Sequence, residues 1–248
     1  METGNGWGKG SRATGIFYGV GVGPGDPELL TLKALRVLQS VPAIYYPACA
    51  PGAKSYASKI IERYARPDQA LKGLLFPMEK DMERLRPIWE TSAATMAADL
   101  LAGRDVAFIT EGDPFFYSTF VYMDRIIRRQ FPQVAIEVIP AVASPMAAAA
   151  RTGVPLAMAD ERLAVLPATY DDGFLLRALE DFDTVVLLKV NSVMPKVITL
   201  LEKLGLLDRA VFVERCGSPE ERVVTDLRRL EGERLNYLSL VIVKKGAL

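Results

Sequence analysis

Short apolar segments alternate with helical segments along most of the 248-residue chain, and this alternation restricts its possible folds more than any other feature. Apolar runs at 16–22, 106–110 and 184–190 have the length of buried β-strands. In the segment 82–102 apolar residues recur instead at helical spacing: Leu85, Ile88, Trp89, Met96 and Leu100. Strands that alternate with helices are typical of α/β proteins. The sequence therefore predicts an α/β fold.

The pattern changes after Pro155, which indicates two α/β domains. Four strands are predicted before it, at 16–22, 43–46, 106–110 and 135–139. Five are predicted after it, at 163–167, 184–190, 210–215, 222–227 and 238–243. The last two have no helix between them, so antiparallel, hairpin-like strands should end the chain. We predict a mostly parallel mixed sheet flanked by helices in each domain, with a flexible arm over 1–14, an N-terminal domain over 15–141 and a C-terminal domain over 142–248.

The absence of histidine excludes several classes of enzyme. The chain has no His and two cysteines, Cys49 and Cys216, which lie far apart in sequence. A Ser-His-Asp or Cys-His catalytic system has no base here. Zinc sites usually need several Cys or His ligands at close spacing. We therefore predict no protein-bound metal, and we expect both cysteines to be buried and reduced.

Charge and hydropathy argue against nucleic-acid and membrane partners. The 30 Lys and Arg residues balance 30 Asp and Glu residues, so no overall basic field draws the chain to nucleic acid. No apolar run approaches the roughly 18 residues that span a bilayer. The start of the chain is Gly-rich and polar, unlike a secretory signal. We expect a cytoplasmic protein.

A glycine-dense loop, Gly19–Pro27, follows the first predicted strand. Its spacing differs from the dinucleotide-binding Gly-x-Gly-x-x-Gly fingerprint, because Pro24 or Asp26 stands where the last glycine belongs. On the residues alone it is either a tight strand-to-helix turn or a place where the backbone approaches a ligand. Asp26 is the predicted N-cap of a helix over 27–39.

Two more loops follow predicted strands. Residues 110–119 combine two carboxylates, a glycine, aromatic rings and hydroxyls, whereas residues 139–145 are mostly small and include Ser144 as the predicted helix N-cap. Open α/β sheets bind ligands at the carboxyl ends of their strands, so the three loops together predict one cleft. In the alternative interpretation, Asp113 only caps a turn and the neighbouring aromatic rings belong to the core.

The motifs in these loops resemble those of a known family. Residues 21–31, GVGPGDPELLT, resemble the opening signature of the tetrapyrrole methylases, which are class III S-adenosylmethionine (SAM)-dependent methyltransferases. Glu111–Pro114 with Tyr117 matches their second motif, and Pro140–Ser144 lies where they carry Pro-Gly-Ile/Val-Thr/Ser. The resemblance covers about residues 16–245. Three segments resemble the branch that methylates C20 of precorrin-2 or cobalt-factor II: 109–119, 155–167 and 213–221.

The resemblance implies a homodimer of two-domain chains, with SAM and a tetrapyrrole substrate in a trough between the domains. Methyl transfer would give precorrin-3A or cobalt-factor III, with S-adenosylhomocysteine as the second product. The implied cofactor contacts are Pro24, Glu111, Gly112, Asp113, Phe116, Tyr117, Ala143, Ser144, Lys189 and Cys216. Two positions depart from the family pattern, because Ala141 replaces a usual glycine and Lys189 stands where many relatives carry methionine.

The implied reaction needs alignment more than acid–base chemistry. The acceptor carbon is electron-rich and SAM carries an excellent leaving group, so a closed, oriented site suffices, and no catalytic base is identified. Because the acceptor is a polycarboxylate, three cations are candidate substrate ligands: Arg151, Arg162 and Arg215. The sequence leaves open whether the acceptor contains cobalt. The alternatives are a same-fold methyltransferase acting on ribosomal RNA or diphthine, or a non-catalytic SAM- or tetrapyrrole-binding module.

Overall fold

The computed structural model describes residues 13–50, 52–77, 79 and 81–246. These residues form two compact units, which we call unit 1 and unit 2. Unit 1 comprises the described residues up to Gly23 and those within Pro27–Ala141, and unit 2 comprises Pro24–Asp26 together with the described residues from Val142 onward. The predicted N-terminal arm, 1–14, lies outside the described residues except for Ala13 and Thr14.

Unit 1 is built on a five-stranded sheet in which every pairing is parallel. Its strands follow the order β3-β2-β4-β1-β5. Their bounds are β1 Ile16–Gly21, β2 Ala43–Ala48, β3 Ala70–Leu75, β4 Val106–Thr110 and β5 Ala135–Ile139. The sequence did not predict β3, because this edge strand is mostly exposed and contains Lys72 and Gly73, which strands disfavour.

Helices cover both faces of this sheet. The four helices are α1 Leu32–Ser40, α2 Tyr56–Ile60, α3 Met82–Leu101 and α4 Phe120–Gln130. The first two pack with Ile109 on one face, and the other two pack with Phe108 on the opposite face. Successive residues of a strand point to opposite faces, so a strand buried on both sides reads as a continuous apolar run. This is why β4 was predicted with its correct bounds.

The predicted start of the first helix is wrong. Pro27–Leu29 forms only a 3-10 turn, and α1 begins at Leu32. The N-cap is Thr31, whose side chain accepts the Ala34 N–H at 3.1 Å, and not Asp26. Asp and Thr both cap helices well, so the sequence alone does not choose between two candidates five residues apart.

Unit 2 contains a mixed five-stranded sheet with the order β6-β7-β10-β8-β9. The strands are β6 Leu163–Pro167, β7 Thr184–Leu188, β8 Ala210–Glu214, β9 Arg222–Val224 and β10 Ser239–Lys244. Only β6 and β7 pair in parallel; β10 runs antiparallel to β7 and β8, and β9 runs antiparallel to β8. The last two strands are therefore antiparallel to other strands and do not form a hairpin with each other. The fully buried β10 requires a central position, whereas β9, with Arg222 and exposed Val223, suits an edge.

Three helices complete unit 2: α5 Ser144–Thr152, α6 Asp172–Asp181 and α7 Met194–Lys203. The apolar sides of α6 and α7 pack on one core with residues from β7, β8 and β10. Across the part of the chain that the structure describes, no helix has the length and apolar character needed to cross a bilayer.

A buried carboxylate ties the end of α3 to the edge of the first sheet. Asp99, whose side chain is 10% exposed, accepts a 2.7 Å hydrogen bond from the Tyr45 hydroxyl of β2. The Lys72 ammonium of β3 donates to the same oxygen at 3.1 Å, and Arg104 Nε donates to the other oxygen at 3.1 Å. Burial alone would raise the pKa of Asp99, but the hydrogen bonds from Tyr45, Arg104 and Lys72 outweigh it and lower the pKa to about 2.

We predict that Asp99 stabilises unit 1 above about pH 4 and that this contribution is lost as the pH falls towards 2. The folded-state pKa lies below the ordinary value of 3.8, so acid protonates the unfolded chain first. Asp99→Asn should lower the free energy of unfolding at pH 7 by about 2 kcal/mol and flatten its dependence on pH between 4 and 3. Urea denaturation at pH 7, 4 and 3 measures both effects. Asp160→Asn, at an exposed position, is the matched control; equal losses in the two variants would contradict the prediction.

Candidate active site

Three loops of unit 1 meet at the carboxyl edge of the parallel sheet. β4, β1 and β5 are neighbours, and the connection after β1 leads to one side of the sheet whereas the connection after β4 leads to the other. Their helices therefore lie on opposite faces, which opens a crevice between the carboxyl ends of β1 and β4. We call the segments there the switch-point loops: Val22–Gly23, Glu111–Thr119 and Pro140–Ala141.

Backbone hydrogen bonds hold the switch-point loops together. Val22 donates to the Thr110 carbonyl at 3.0 Å, and Gly112 donates to the Gly23 carbonyl at 2.8 Å. A Cβ at Gly21 would lie 2.6 Å from both the Ala141 Cβ and the Gly112 carbonyl oxygen. No side chain fits in that space, so the closeness of the three loops requires glycine at position 21.

Asp113 connects two of these loops through both of its carboxylate oxygens. Oδ1 accepts the Phe115 N–H at 2.9 Å, and Oδ2 accepts the Ala141 N–H at 3.0 Å. The first bond is the turn that the sequence offered as the alternative role of Asp113. The second joins the β4 loop to the β5 loop, so this carboxylate shapes the wall of the crevice.

The same loop presents groups that suit a ligand. Phe115 is 57% exposed and Tyr117 is 47% exposed, so these two rings are not part of the core. Gly112 has φ +65°, and a Cβ built there would meet no described atom within 4 Å. Beside it, burial raises the pKa of Glu111, and no ion pair involves this carboxyl among the described residues. The loop thus offers open space at a glycine next to a carboxyl group and aromatic rings.

Backbone strain coincides with the candidate residues. Among the described residues other than glycine, four have positive φ: Tyr117, Ala159, Lys189 and Arg215. Such a conformation costs about 1–2 kcal/mol and tends to persist at functional sites, where the surrounding structure enforces it. Three of these four residues, Tyr117, Lys189 and Arg215, are candidate site residues predicted from the sequence.

In unit 2, two residues with positive φ lie directly after the carboxyl ends of strands of the mixed sheet. Lys189 follows β7 and Arg215 follows β8, with β10 between these strands. The Lys189 N–H donates to Ser239 at 3.0 Å, and the Arg215 N–H donates to Leu238 at 2.8 Å, so both turns are fixed to the start of β10. Cys216 comes next after Arg215 at the same edge.

A short segment of the glycine-dense loop also belongs to unit 2. Pro24–Asp26 packs near the turn after β8, where a Cβ at Gly217 would lie 2.9 Å from the Asp26 nitrogen. Gly217 also has φ +79°. Both the left-handed conformation and the close approach require glycine at position 217. The contact between Gly217 and Asp26 holds the segments that contain Cys216 and Pro24 next to each other.

Two more of the predicted cofactor contacts, both small residues, lie at the start of α5. Ala143 is the N-cap and Ser144 is the first helical residue, without a side-chain cap hydrogen bond. The predicted N-cap role of Ser144 is therefore wrong. Pro145, which favours the first turn of a helix, follows Ser144 and is compatible with a helix start one residue earlier than predicted.

The sequence model of the Tetrapyrrole (Corrin/Porphyrin) Methylases matches residues 17–231 of this chain. The chain belongs to this family. It is 37% identical over 233 residues to the probable cobalt-precorrin-2 C(20)-methyltransferase of Methanocaldococcus jannaschii, covering 92% of this chain and 95% of that protein. It is 35% identical over 237 residues to the precorrin-2 C(20)-methyltransferase of a Sinorhizobium species, with the same two coverages.

Solved structures of similar proteins support the two-domain α/β fold of this tetrapyrrole methylase. The cobalt precorrin-4 methyltransferase structure has a TM-score of 0.72 and 24% identity, covering 92% of this chain and 94% of that one. A uroporphyrin-III C-methyl transferase from Thermus thermophilus, solved as a complex with S-adenosylhomocysteine, has a TM-score of 0.64 and 26% identity, covering 93% and 98%. The family is therefore SAM-dependent.

One candidate cation of the methylase, Arg162, lies far from the other site residues of unit 2. Arg162 precedes β6, where its N–H donates to Asp183 at 2.8 Å and its side chain approaches the same carboxylate. Lys189 follows the end of β7, so Arg162 lies at the opposite edge of the sheet, about one strand length or 17 Å away. Arg162 therefore lies apart from the other site residues of unit 2.

The two cysteines differ in their surroundings. Cys216 is buried, and burial together with the Glu221 carboxylate raises the pKa of its thiol to about 12. It is therefore a neutral thiol near pH 7 and a poor nucleophile. Cys49 is exposed, so the expectation that both cysteines are buried is wrong; it follows the end of β2, outside the core. Among the described residues no group of three His, Cys, Asp or Glu side chains is arranged to hold a metal ion.

Sequence reasoning missed Glu221. Its side chain is only 11% exposed and pairs with Arg151 of α5. In the sequence it belongs to a run of charged residues, Glu220–Arg222, and such runs usually form solvated surface. Only the low exposure and the partners in the folded chain distinguish it from Glu220.

We predict that Asp113 contributes to the stability of the methylase by holding the switch-point loops. An Asn side chain has one acceptor oxygen, so Asp113→Asn should lose one of the two backbone hydrogen bonds and lower the free energy of unfolding by about 1–3 kcal/mol. Urea denaturation measures this loss. Asp81→Asn is the matched control, because Asp81 accepts two backbone N–H groups at a single oxygen, as Asn also can. Equal stability of Asp113→Asn and the wild type would contradict the prediction.

Proposed function

We propose that this protein is a SAM-dependent methyltransferase of cobalamin biosynthesis that methylates C20 of precorrin-2 or of its cobalt complex. The observation that carries the proposal is the agreement of relatives over nearly the whole chain. Proteins named as precorrin-2 or cobalt-precorrin-2 C(20)-methyltransferases are 33–37% identical to it and cover 92–93% of its length. The geometry within each unit supports the same conclusion. Residues with positive φ, including glycines, occur in the loops after the strands, where the family motifs also lie.

The residues of unit 1 fit a methyl donor with a cationic amino acid moiety. The open space at Gly112 lets a ligand approach the backbone, and the Glu111 carboxyl suits an ammonium group. Phe116 and Tyr117 supply aromatic faces beside them, with their ring centroids 5.0 Å apart. We propose that Asp113 acts indirectly, by fixing the loop that carries these groups.

In unit 2 we propose five cofactor contacts: Pro24, Ala143, Ser144, Lys189 and Cys216. Lys189 would contribute through its backbone, because its ammonium lies 5.7 Å from the centre of the Tyr237 ring and its left-handed conformation exposes the main chain after β7. Cys216 would contribute as a neutral, apolar surface. Ala143 and Ser144, at the N-terminus of α5, offer small side chains and backbone N–H groups.

Methyl transfer in this site depends on orientation and on exclusion of water. SAM supplies an activated methyl group when bound, so the protein does not have to generate a strong nucleophile. The fixed loops would hold donor and acceptor in line, which is worth many orders of magnitude in rate. Arg151 and Arg215 are the proposed ligands for acceptor carboxylates, with side chains 64% and 33% exposed.

The decisive experiment is incubation of the protein with SAM and either metal-free precorrin-2 or its cobalt complex. Mass spectrometry should show the gain of one methyl group on at least one acceptor, and carbon-13 from labelled SAM should appear at C20 in the NMR spectrum. A methyl group on another carbon would overturn the C20 assignment. Binding of S-adenosylhomocysteine without turnover of either acceptor would instead favour a non-catalytic binding module.

We predict that Gly112→Ala lowers the affinity for S-adenosylhomocysteine by at least about tenfold, or 1.4 kcal/mol. The new methyl group would occupy the space open to the ligand without touching the described protein atoms. Gly103→Ala is the matched control, because Gly103 also has positive φ and open space but lies after α3, away from the loops. Calorimetric titration measures binding and circular dichroism checks folding. Similar affinities in both variants would place the cofactor elsewhere.

Two further proposals rest on the family resemblance. We propose a homodimer and a cytoplasmic location. Light scattering of the purified protein measures the mass in solution, and fractionation of the producing cells tests the location. A monomeric mass, or recovery with membranes, would contradict the corresponding proposal.

A further inference from the structure

One carboxylate in unit 2 has partners on two different elements. Glu221 Oε2 accepts the Gly217 N–H at 2.7 Å, and Oε1 accepts a hydrogen bond from Arg151 Nε on α5. The Glu221 carboxylate also contributes to the raised pKa of the neighbouring Cys216 thiol. The side chain of Glu221 is 11% exposed. Glu221 therefore binds Arg151, a proposed substrate ligand, and the backbone of Gly217, which directly follows the proposed cofactor contact Cys216.

The loop that Glu221 closes is bent by two consecutive turns. Ser218 N–H donates to the Arg215 carbonyl, and Glu221 N–H donates to the Ser218 carbonyl, each at 3.0 Å. Within this loop Arg215 and Gly217 both have positive φ, and Gly217 approaches the Asp26 nitrogen too closely for any side chain. A strained loop needs a strong interaction to keep it in one conformation. The loop makes two charge-assisted interactions within itself, the Arg215–Glu220 ion pair and the hydrogen bond from the Gly217 N–H to Glu221, and only the second uses a mostly buried carboxylate.

We propose that Glu221 is the positioning residue of this site: it fixes the Cys216–Gly217 turn for the cofactor and orients Arg151 for the carboxylates of the acceptor. The inference rests on the proposed function for the identity of the two ligands. Glu221 itself touches neither ligand. By binding Arg151 through Nε it fixes the plane of the guanidinium group, and the 64% exposed side chain remains accessible to an acceptor carboxylate.

The charges around Cys216 provide a measurement that needs no ligand. Burial first, and then the charge of Glu221 and its hydrogen bond, raise the pKa of the thiol, whereas the charge of Arg151 lowers it. Glu221→Gln should therefore lower the thiol pKa, and Arg151→Gln should raise it. A loop that had merely become looser would react faster in both variants, so the opposite directions separate electrostatic contact from simple exposure.

The experiment uses Cys49→Ser as the background, so that Cys216 is the remaining thiol of the chain. The rate of iodoacetamide labelling is followed by mass spectrometry at pH 8 and 9 in the full-length protein, well below the pKa of about 12. Each unit by which the pKa falls raises the thiolate fraction about tenfold at a given pH. We expect the labelling rate to rise in Glu221→Gln and fall in Arg151→Gln, and to stay unchanged in Glu202→Gln, an exposed matched control on α7. An unchanged rate in both Glu221→Gln and Arg151→Gln would overturn the proposal.

Binding and kinetics complete the test. Glu221→Gln should weaken S-adenosylhomocysteine binding and raise the KM for the tetrapyrrole, each by about tenfold, whereas Arg151→Gln should raise only the KM for the tetrapyrrole. A purely structural role would lower the active fraction, and so kcat, with both constants unchanged, and that result would overturn the proposal. If Glu221→Gln does not fold, Arg151→Gln still decides through the labelling rate of Cys216. Failure of the wild type to bind S-adenosylhomocysteine would count against the proposed function, while the labelling result still tests the Glu221 contacts.

Discussion

The close packing of three loops around Gly21 is the constraint on which the candidate site of unit 1 depends. A Cβ there would lie 2.6 Å from two atoms of neighbouring loops, so the loops can meet only because position 21 has no side chain. This contact brings Gly112 and Asp113 to the crevice that the strand order creates. Once the loops meet, both oxygens of Asp113 accept backbone N–H groups, and the wall of the crevice is fixed.

Unit 2 reaches a similar result by a different physical route. Its strands end in left-handed residues, Lys189 and Arg215, whose conformation is unfavourable in an isolated chain. Hydrogen bonds to the start of β10 hold both turns, and Glu221 holds the next one through Gly217. The strain is offset by the interactions of a central, fully buried strand, so the stability of the sheet is used to shape the loops at its edge.

Much of the fold and of the candidate site could be predicted from local sequence. The continuous apolar run of β4 and the periodicity of α3 are local signals, and both were placed with accurate bounds. Exposed edge strands give weaker signals, which is why β3, with Lys72 and Gly73, was missed. Helix starts were ambiguous wherever two capping residues competed, as at Asp26 and Thr31, because capping energies of such residues are nearly equal. The distance between Arg162 and Lys189 depended on the parallel pairing of β6 with β7, and local sequence does not specify strand pairing.

The sequence by itself determined the alternation of strands and helices, the glycines that allow loops to approach each other, and the motifs that resemble the tetrapyrrole methylases. These properties depend on side-chain volume, backbone freedom and spacing, which are local. Only the tertiary structure decided that β10 lies between β7 and β8, that Asp113 joins two loops, and that Glu221 is buried against Arg151 and Gly217. These contacts join residues as many as 70 positions apart in the sequence. Glu221 lies in a charged run, and its carboxylate holds Arg151 and Gly217 only after folding removes it from water.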